Sequence, residues 1–303
     1  MKHLLYYLFF FFWFVASLLP LRLLYFFSDL LYYPLYYVVR YRRKVVRKNL
    51  EESFPEKPLV ELRKIEREFY HYFCDYIVET IKLFSMSEKQ MRQRMTFGGV
   101  DKINEIIKHK DCVLYLGHYC NWEWVSSIPL HLGMTDNFIA GQIYHQIENK
   151  AFDKLFLWMR SRFHAVNIEM LMALRHLVRY KQQNKRFIIG FISDQSPNWN
   201  FVKMWTEFLN HKSSFFIGAE SIAKATDAAV VYLDVQRVKR GYYHADFVVM
   251  TEDPKSFPDY EITVDYARRL EETIRRAPQY WLWSHNRWKR TYEKYLKLKS
   301  ESA

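Results

Sequence analysis

Between Leu4 and Leu21 the chain carries no charged residue: LLYYLFFFFWFVASLLPL. As one helix these eighteen residues would rise about 27 Å, close to the hydrocarbon thickness of a bilayer. A second apolar stretch, residues 23–39, contains Asp29 and Pro34. It reads better as an interfacial or membrane-dipping helix than as a second span. RYRRKVVRK follows at residues 40–48, with six basic side chains. Such a cluster stays on the cytoplasmic side and attracts anionic lipid. The expectation is a membrane anchor and interfacial segment over residues 1–39, with residues 40–303 as one cytoplasmic domain. A cleaved signal peptide fits less well, because only Lys2 and His3 precede the apolar run and no A-x-A site follows it.

Periodicity in the remainder changes repeatedly. Residues 58–84 have apolar positions three and four apart, a helical pattern. Strand-like runs then occur at 112–117, 137–144, 186–193, 228–238 and 242–250. Helical patterns cover 121–132, 150–162, 168–183, 215–226 and 263–277. This alternation predicts an α/β fold with a mixed, largely parallel sheet flanked by helices. Gly241, between the last two strands, predicts an antiparallel hairpin there. The three cysteines have no CxxC spacing, which argues against a disulfide framework or zinc site and for a reducing compartment. The formal charge of +12 favours acidic partners. Much of the basic density lies beside the anchor and no recognition motif accompanies it, so a nucleic-acid binder ranks last.

The segment with chemical potential is LYLGHYCNWEW, residues 114–124, at the end of a strand candidate. In a doubly wound sheet, functional groups collect where strands end and helices begin. Gly117 is expected to give the turn its backbone freedom, and Asn121 to cap the next helix. Glu123 then falls in the first helical turn, with His118 just outside it. An imidazole oriented by a carboxylate is suited to take a proton from a hydroxyl. Three other readings compete: a solvated His–Glu pair, a Cys120 nucleophile activated by His118, and a metal site. The spacing is not H-E-x-x-H and no ligand cluster accompanies it, which weighs against a metal.

GHYCNWE resembles the G-H-x-G-N-W-E signature of the late acyltransferases of lipid A biosynthesis, whose relatives include mannoside acyltransferases. Further blocks extend the resemblance over nearly the whole chain: IYHQIENKAFDKLFLWMRSRF, FISDQSP, FFIGAESIAKATDAAVV and QYWLWSHNRWK. It implies a bacterial inner-membrane acyltransferase moving a fatty acyl chain from an acyl carrier protein thioester to a hydroxyl of a lipid A precursor. Its catalytic dyad would be His118 and Glu123, with Glu123 orienting His118, and no metal or cofactor is implied. The matching blocks supply Asn121, His145, Arg160, Arg162, Asp194, Gln195, His285 and Arg287 as candidate substrate-binding residues. Arg160 and Arg162 diverge by about 200° on a helix, so only one can face the site. His285 and Arg287 compete with a packing role for their tryptophan-rich segment. Three positions depart from the family pattern: Cys120 for Gly, His145 for a frequent Arg, and Asn286 for Arg. His145 in place of Arg leaves the acceptor open to a mannoside or an amino-acid lipid. The rival of another class is a non-catalytic lipid-binding membrane protein.

Overall fold

The computed structural model describes residues 2–133 and 137–301, with side chains from residue 10 onward. Helix α1 (Lys2–Leu18) stops before Pro20, and α2 (Leu21–Tyr33) runs on into a π-helical stretch, Pro34–Val38. Pro20 has no N–H and disfavours helical backbone at the residue before it. The helix of the uncharged run therefore ends at Leu18, short of the continuous Leu4–Leu21 span expected from hydropathy, and Leu21 begins the next helix. Phe10–Leu18 and Leu21–Val38 are bent by 120°. Among the described residues no single helix is long and apolar enough to cross a membrane, whereas this bent pair meets the length and composition together.

After α3 (Arg43–Ser53) comes the long α4 (Leu59–Leu83), on which α2 lies. Leu21, Leu24, Tyr32 and Tyr36 are buried. Ser28 Oγ donates to Asp75 Oδ1 at 2.8 Å, and the Tyr36 hydroxyl donates to Glu66 Oε1 at 3.0 Å. Lys82 Nζ meets the Ser17 carbonyl at 2.8 Å and the Leu19 carbonyl at 3.1 Å, satisfying acceptors where α1 ends. The other side of the pair leaves Phe11, Phe12, Phe26, Phe27 and Leu30 exposed. Part of the basic cluster turns inward: Arg43 and Arg47 pair with buried Glu66, and Arg42 donates to the Ser284 carbonyl.

The next elements are α5 (Glu88–Arg94), β1 (Met95–Gly98), α6 (Val100–His109) and β2 (Cys112–Leu116). A 3-10 helix, Trp124–Leu130, leads to β3 (Phe138–Tyr144), α7 (Lys150–Ser161) and β4 (Val166–Glu169). Then come α8 (Ala173–Gln182), β5 (Arg186–Ile192) and a small antiparallel pair, β6 (Thr206–Phe208) with β7 (His211–Ser213). The chain closes with α9 (Gly218–Thr226), β8 (Ala229–Lys239), β9 (Tyr242–Thr251), α10 (Glu261–Arg276) and α11 (Tyr292–Glu301). The seven-stranded sheet has the order β1-β9-β8-β2-β5-β3-β4. Every pairing in it is parallel except β8 with β9, the predicted hairpin, which turns at Gly241 with φ 72°.

Helices cover both faces of the sheet. Tyr266 of α10 stacks on Tyr115 of β2 at 4.4 Å, and the Tyr232 and Thr273 hydroxyls meet at 2.9 Å on the same side. On the opposite side the Tyr243 hydroxyl reaches Glu79 of α4 at 2.8 Å. The helical pattern expected over 121–132 forms only the 3-10 turn, since Pro129 denies it an i→i−4 donor. The pattern over 168–183 begins with β4 and a 3-10 turn, Met170–Met172, before α8. Strands β1, β4, β6 and β7 and helices α3, α5, α6 and α11 have no counterpart among the sequence expectations.

Candidate active site

Strands β2, β5 and β3 are adjacent and parallel, so their carboxyl ends open side by side. Leu116 is in register with Ile192. Two residues beyond, on each strand, stand His118 and Asp194. His118 Nδ1 lies 2.6 Å from Asp194 Oδ1, and the His118 backbone N–H donates to Oδ2 at 2.9 Å. The Trp281 indole donates to Oδ2 at 2.8 Å. Burial alone pushes the Asp194 carboxyl up. The His118 charge and the bonds from His118 and Trp281 outweigh that and hold it at about 2.

The pairing expected between His118 and Glu123 is not made. Glu123, 3% exposed, instead receives Arg160 of α7 in a two-pronged bond: Nε to Oε2 at 2.8 Å and Nη2 to Oε1 at 2.6 Å. Burial works against the Arg160 cation, but the Glu123 charge outweighs it and raises the guanidinium above its ordinary value. A planar fork facing a carboxylate is the stronger bond, and it draws Glu123 toward α7. The imidazole is left to the carboxylate on the neighbouring strand.

His118 and Glu123 line one cavity of about 410 Å³, while Asp194 lies behind the imidazole and is not part of the lining. Its walls are mostly apolar, with Leu116, Gly190 and Ile192 from the strands, Val125 and Ile128 from the 3-10 helix, and Ile222 from α9. His145, Arg160 and Gln195 also reach it. Gln195 Nε2 lies 3.3 Å from His118 Nε2, and the Trp122 ring stands edge-on to the imidazole at 5.2 Å. His118 Nε2 is the ring nitrogen not bonded to Asp194, and the Gln195 amide that donates to it must give way before a reactant can reach it.

The remaining candidates lie elsewhere. Asn121 is fully buried; its Oδ1 accepts from the Trp124 N–H at 3.2 Å and its Nδ2 donates to Glu79 at 2.7 Å. It braces the turn through Trp124, but the N-cap position of the 3-10 helix belongs to Glu123 rather than to Asn121 as expected, and Asn121 does not line the cavity. Arg162 points away from Arg160 and donates to the Leu83 carbonyl at 2.6 Å and the Phe84 carbonyl at 2.5 Å, at the end of α4. Arg287 is 1% exposed, donates to the Ser214 carbonyl at 2.6 Å and lies 4.6 Å from the Phe215 ring centre. Burial lowers its guanidinium to about 10 and the His285 imidazole to about 4. Neither lines the cavity. Their segment runs alongside the turn: Leu282 N–H donates to the His118 carbonyl at 3.1 Å, and Cys120 N–H to the Tyr280 carbonyl at 3.0 Å. Sequence reasoning gave Trp281 a packing role and missed its bond to Asp194. The only hint was its place in the terminal motif.

Two backbone details correct the reading of the turn. Gly117 is there for close approach, since a Cβ would lie 2.6 Å from Leu270 Cδ1. The left-handed residue is Cys120, with φ 51°. Its side chain is wholly buried, which pushes the thiol well above its ordinary range, opposite to what a nucleophile needs. Among the described residues no cluster of three or more His, Cys, Asp or Glu side chains has metal-holding geometry.

The model of the bacterial lipid A biosynthesis acyltransferase family matches residues 1–290. The chain belongs to that family. This acyltransferase is 22% identical over 260 residues to the lipid A biosynthesis palmitoleoyltransferase of Escherichia coli (strain K12), covering 82% of this chain and 79% of that protein. The lipid A biosynthesis acyltransferase of Shigella flexneri matches to the same extent. The lipid A biosynthesis lauroyltransferase of E. coli (strain K12) is 22% identical over 250 residues, with the same coverage.

Proposed function

We propose that this acyltransferase moves a fatty acyl chain from an acyl carrier protein thioester to a hydroxyl of a lipid A precursor, at the cytoplasmic face of a bacterial inner membrane. The observation carrying this reading is an imidazole at the wall of an apolar cavity, with Nδ1 fixed by a buried carboxylate at 2.6 Å and Nε2 held only by the Gln195 amide at 3.3 Å, which an acceptor hydroxyl would displace. With Nδ1–H donating to Asp194, Nε2 is the basic nitrogen. It takes the proton of the acceptor hydroxyl as the oxygen attacks the thioester carbonyl. The carbon–sulfur bond breaks, and the leaving thiolate takes the proton from the imidazolium. Asp194 stabilises the imidazolium in between. Glu123 and Arg160 line the same cavity as an ion pair, and in this reading the guanidinium stabilises charge developing on the carbonyl oxygen. The apolar walls suit the fatty chain, and the net +12 suits an acidic carrier and an anionic membrane together. The exposed aromatic side of α1 and α2 supports residence in or on the bilayer.

The test incubates membranes containing the protein with acyl carrier thioesters and a tetra-acylated lipid A precursor. One added acyl chain, abolished by His118→Ala and by Glu123→Ala, is the expected result. Transfer to mannoside or amino-acid lipids alone would change the acceptor. No transfer to any hydroxylated lipid would favour a lipid-binding protein without catalysis. Protection of the C-terminus from protease in intact spheroplasts, lost on lysis, is expected for the cytoplasmic orientation.

A further inference from the structure

Glu79 of α4 is buried and makes no close ion pair among the described residues, although the Arg237 cation, bonded to Asp75, is near enough to interact with it. Its carboxylate accepts from three neutral donors on three different elements. The Tyr25 hydroxyl of α2 meets Oε1 at 2.8 Å, while Asn121 Nδ2 meets Oε2 at 2.7 Å and the Tyr243 hydroxyl of β9 meets Oε2 at 2.8 Å. The Trp124 indole donates to the Glu79 backbone carbonyl at 3.3 Å. Asn121 and Trp124 bracket Glu123, and Asn121 follows His118 by three positions. One helical turn of α4 thus grips the segment carrying both cavity-lining groups.

The same carboxylate ties that segment to α2, whose Phe26 and Phe27 are exposed. The route to Tyr25 is kept open by the β8–β9 turn. A Cβ on Gly241 would lie 2.1 Å from the Tyr25 hydroxyl oxygen, and Gly241 has φ 72°. A buried carboxylate without a close ion pair is costly even when hydrogen-bonded, and an apolar side chain would fill the same space at lower cost. What only the carboxylate supplies is directional acceptance from Asn121 and Tyr25 at once.

We propose that Glu79 is a positioning residue that sets the His118–Trp124 turn in its reactive shape, and that through Tyr25 this shape depends on α2 being seated. The proposal rests on the reading of His118 and Glu123 as active-site groups. Full-length variants are reconstituted in phosphatidylethanolamine–phosphatidylglycerol vesicles and assayed with acyl carrier thioester and lipid A precursor. Tyr25→Phe deletes one hydroxyl and is expected to lower kcat about tenfold with KM unchanged. Tyr36→Phe is the control. It also deletes a tyrosine-to-carboxylate bond linking the N-terminal segment to α4, but its acceptor Glu66 does not touch the turn. It should shift Tm comparably and leave kcat within about twofold. Glu79→Gln, which can accept from Asn121 while donating to Tyr25, should keep kcat within about threefold, and Glu79→Leu should lose about a hundredfold. Equal kcat for Tyr25→Phe and Tyr36→Phe, at any stability, overturns the positioning role. An inactive wild type in the same assay would instead bring down the functional reading.

Discussion

Asp194 holds the His118 imidazole, and its environment gives a prediction with a sign. Its folded carboxyl is held at about 2, below an ordinary aspartate near 3.9. As pH falls, the unfolded chain takes up this proton first. The stabilisation is complete above about pH 4 and disappears as pH drops through about 2. The Tm difference between wild type and Asp194→Asn should therefore narrow across that interval. At neutral pH the same variant should lose about 10²–10⁴ in kcat while staying folded, because Nδ1 loses its charged acceptor. Arg160→Ala leaves Glu123 buried without its counter-ion. Denaturant titration should show a loss of about 3–5 kcal/mol, together with lost transfer. Cys120→Ala should retain transfer, since the thiol is buried away from the cavity; an inactive but folded Cys120→Ala would revive the nucleophile reading.

Among the elements, the parallel trio β2, β5 and β3 does the assembling. GHYCNWE, FISDQSP and the stretch after IYH are remote in sequence, but each follows a strand whose end opens on the same cavity. Gly190, in the middle strand of the trio, forms part of the cavity wall. A Cβ there would meet Leu116 Cδ2 at 3.5 Å, Gly141 O at 3.7 Å and Gln142 Cβ at 3.9 Å, all ordinary contacts. Gly190→Leu should therefore fold, and its further carbons would fill the acyl slot. Competition among carrier thioesters should show the preferred chain shortened by about two to four carbons, since each methylene in an apolar pocket discriminates by about 1–3 kcal/mol. An unchanged preference would place the fatty chain elsewhere. Periodicity alone foretold the strands of the trio. It missed β1, β4 and the β6–β7 pair because strands of three or four residues carry too little alternation to stand out.

For the whole molecule, the boundary expected at residue 39 cuts through packed structure. α2 buries Leu21, Leu24 and Tyr32, and its segment supplies partners to Glu66, Asp75 and Glu79. Removing residues 1–18 should leave a folded protein with weaker vesicle binding. Removing residues 1–39 should expose that apolar surface and strip neutral partners from the three acids, giving aggregation or a large drop in Tm. Comparable Tm values for the two truncations, measured in detergent, would restore the boundary to 39. Internal pairing of Arg43 and Arg47 with Glu66 leaves Lys44 and Lys48 among the outward-facing charges of the basic cluster.

The amino-acid pattern alone established an α/β architecture, an apolar aromatic front end and the segment bearing the imidazole, because these follow from local periodicity and composition. It also singled out His118 and Glu123, while Asp194 and Arg160 entered only through the resemblance to the lipid A acyltransferases. Which carboxylate meets the imidazole is another matter. That depends on β5 lying beside β2 in a fixed register and on α7 carrying Arg160 to Glu123, and both are contacts between segments remote in the chain. A spacing of five positions suggested Glu123; strand order gave the place to Asp194.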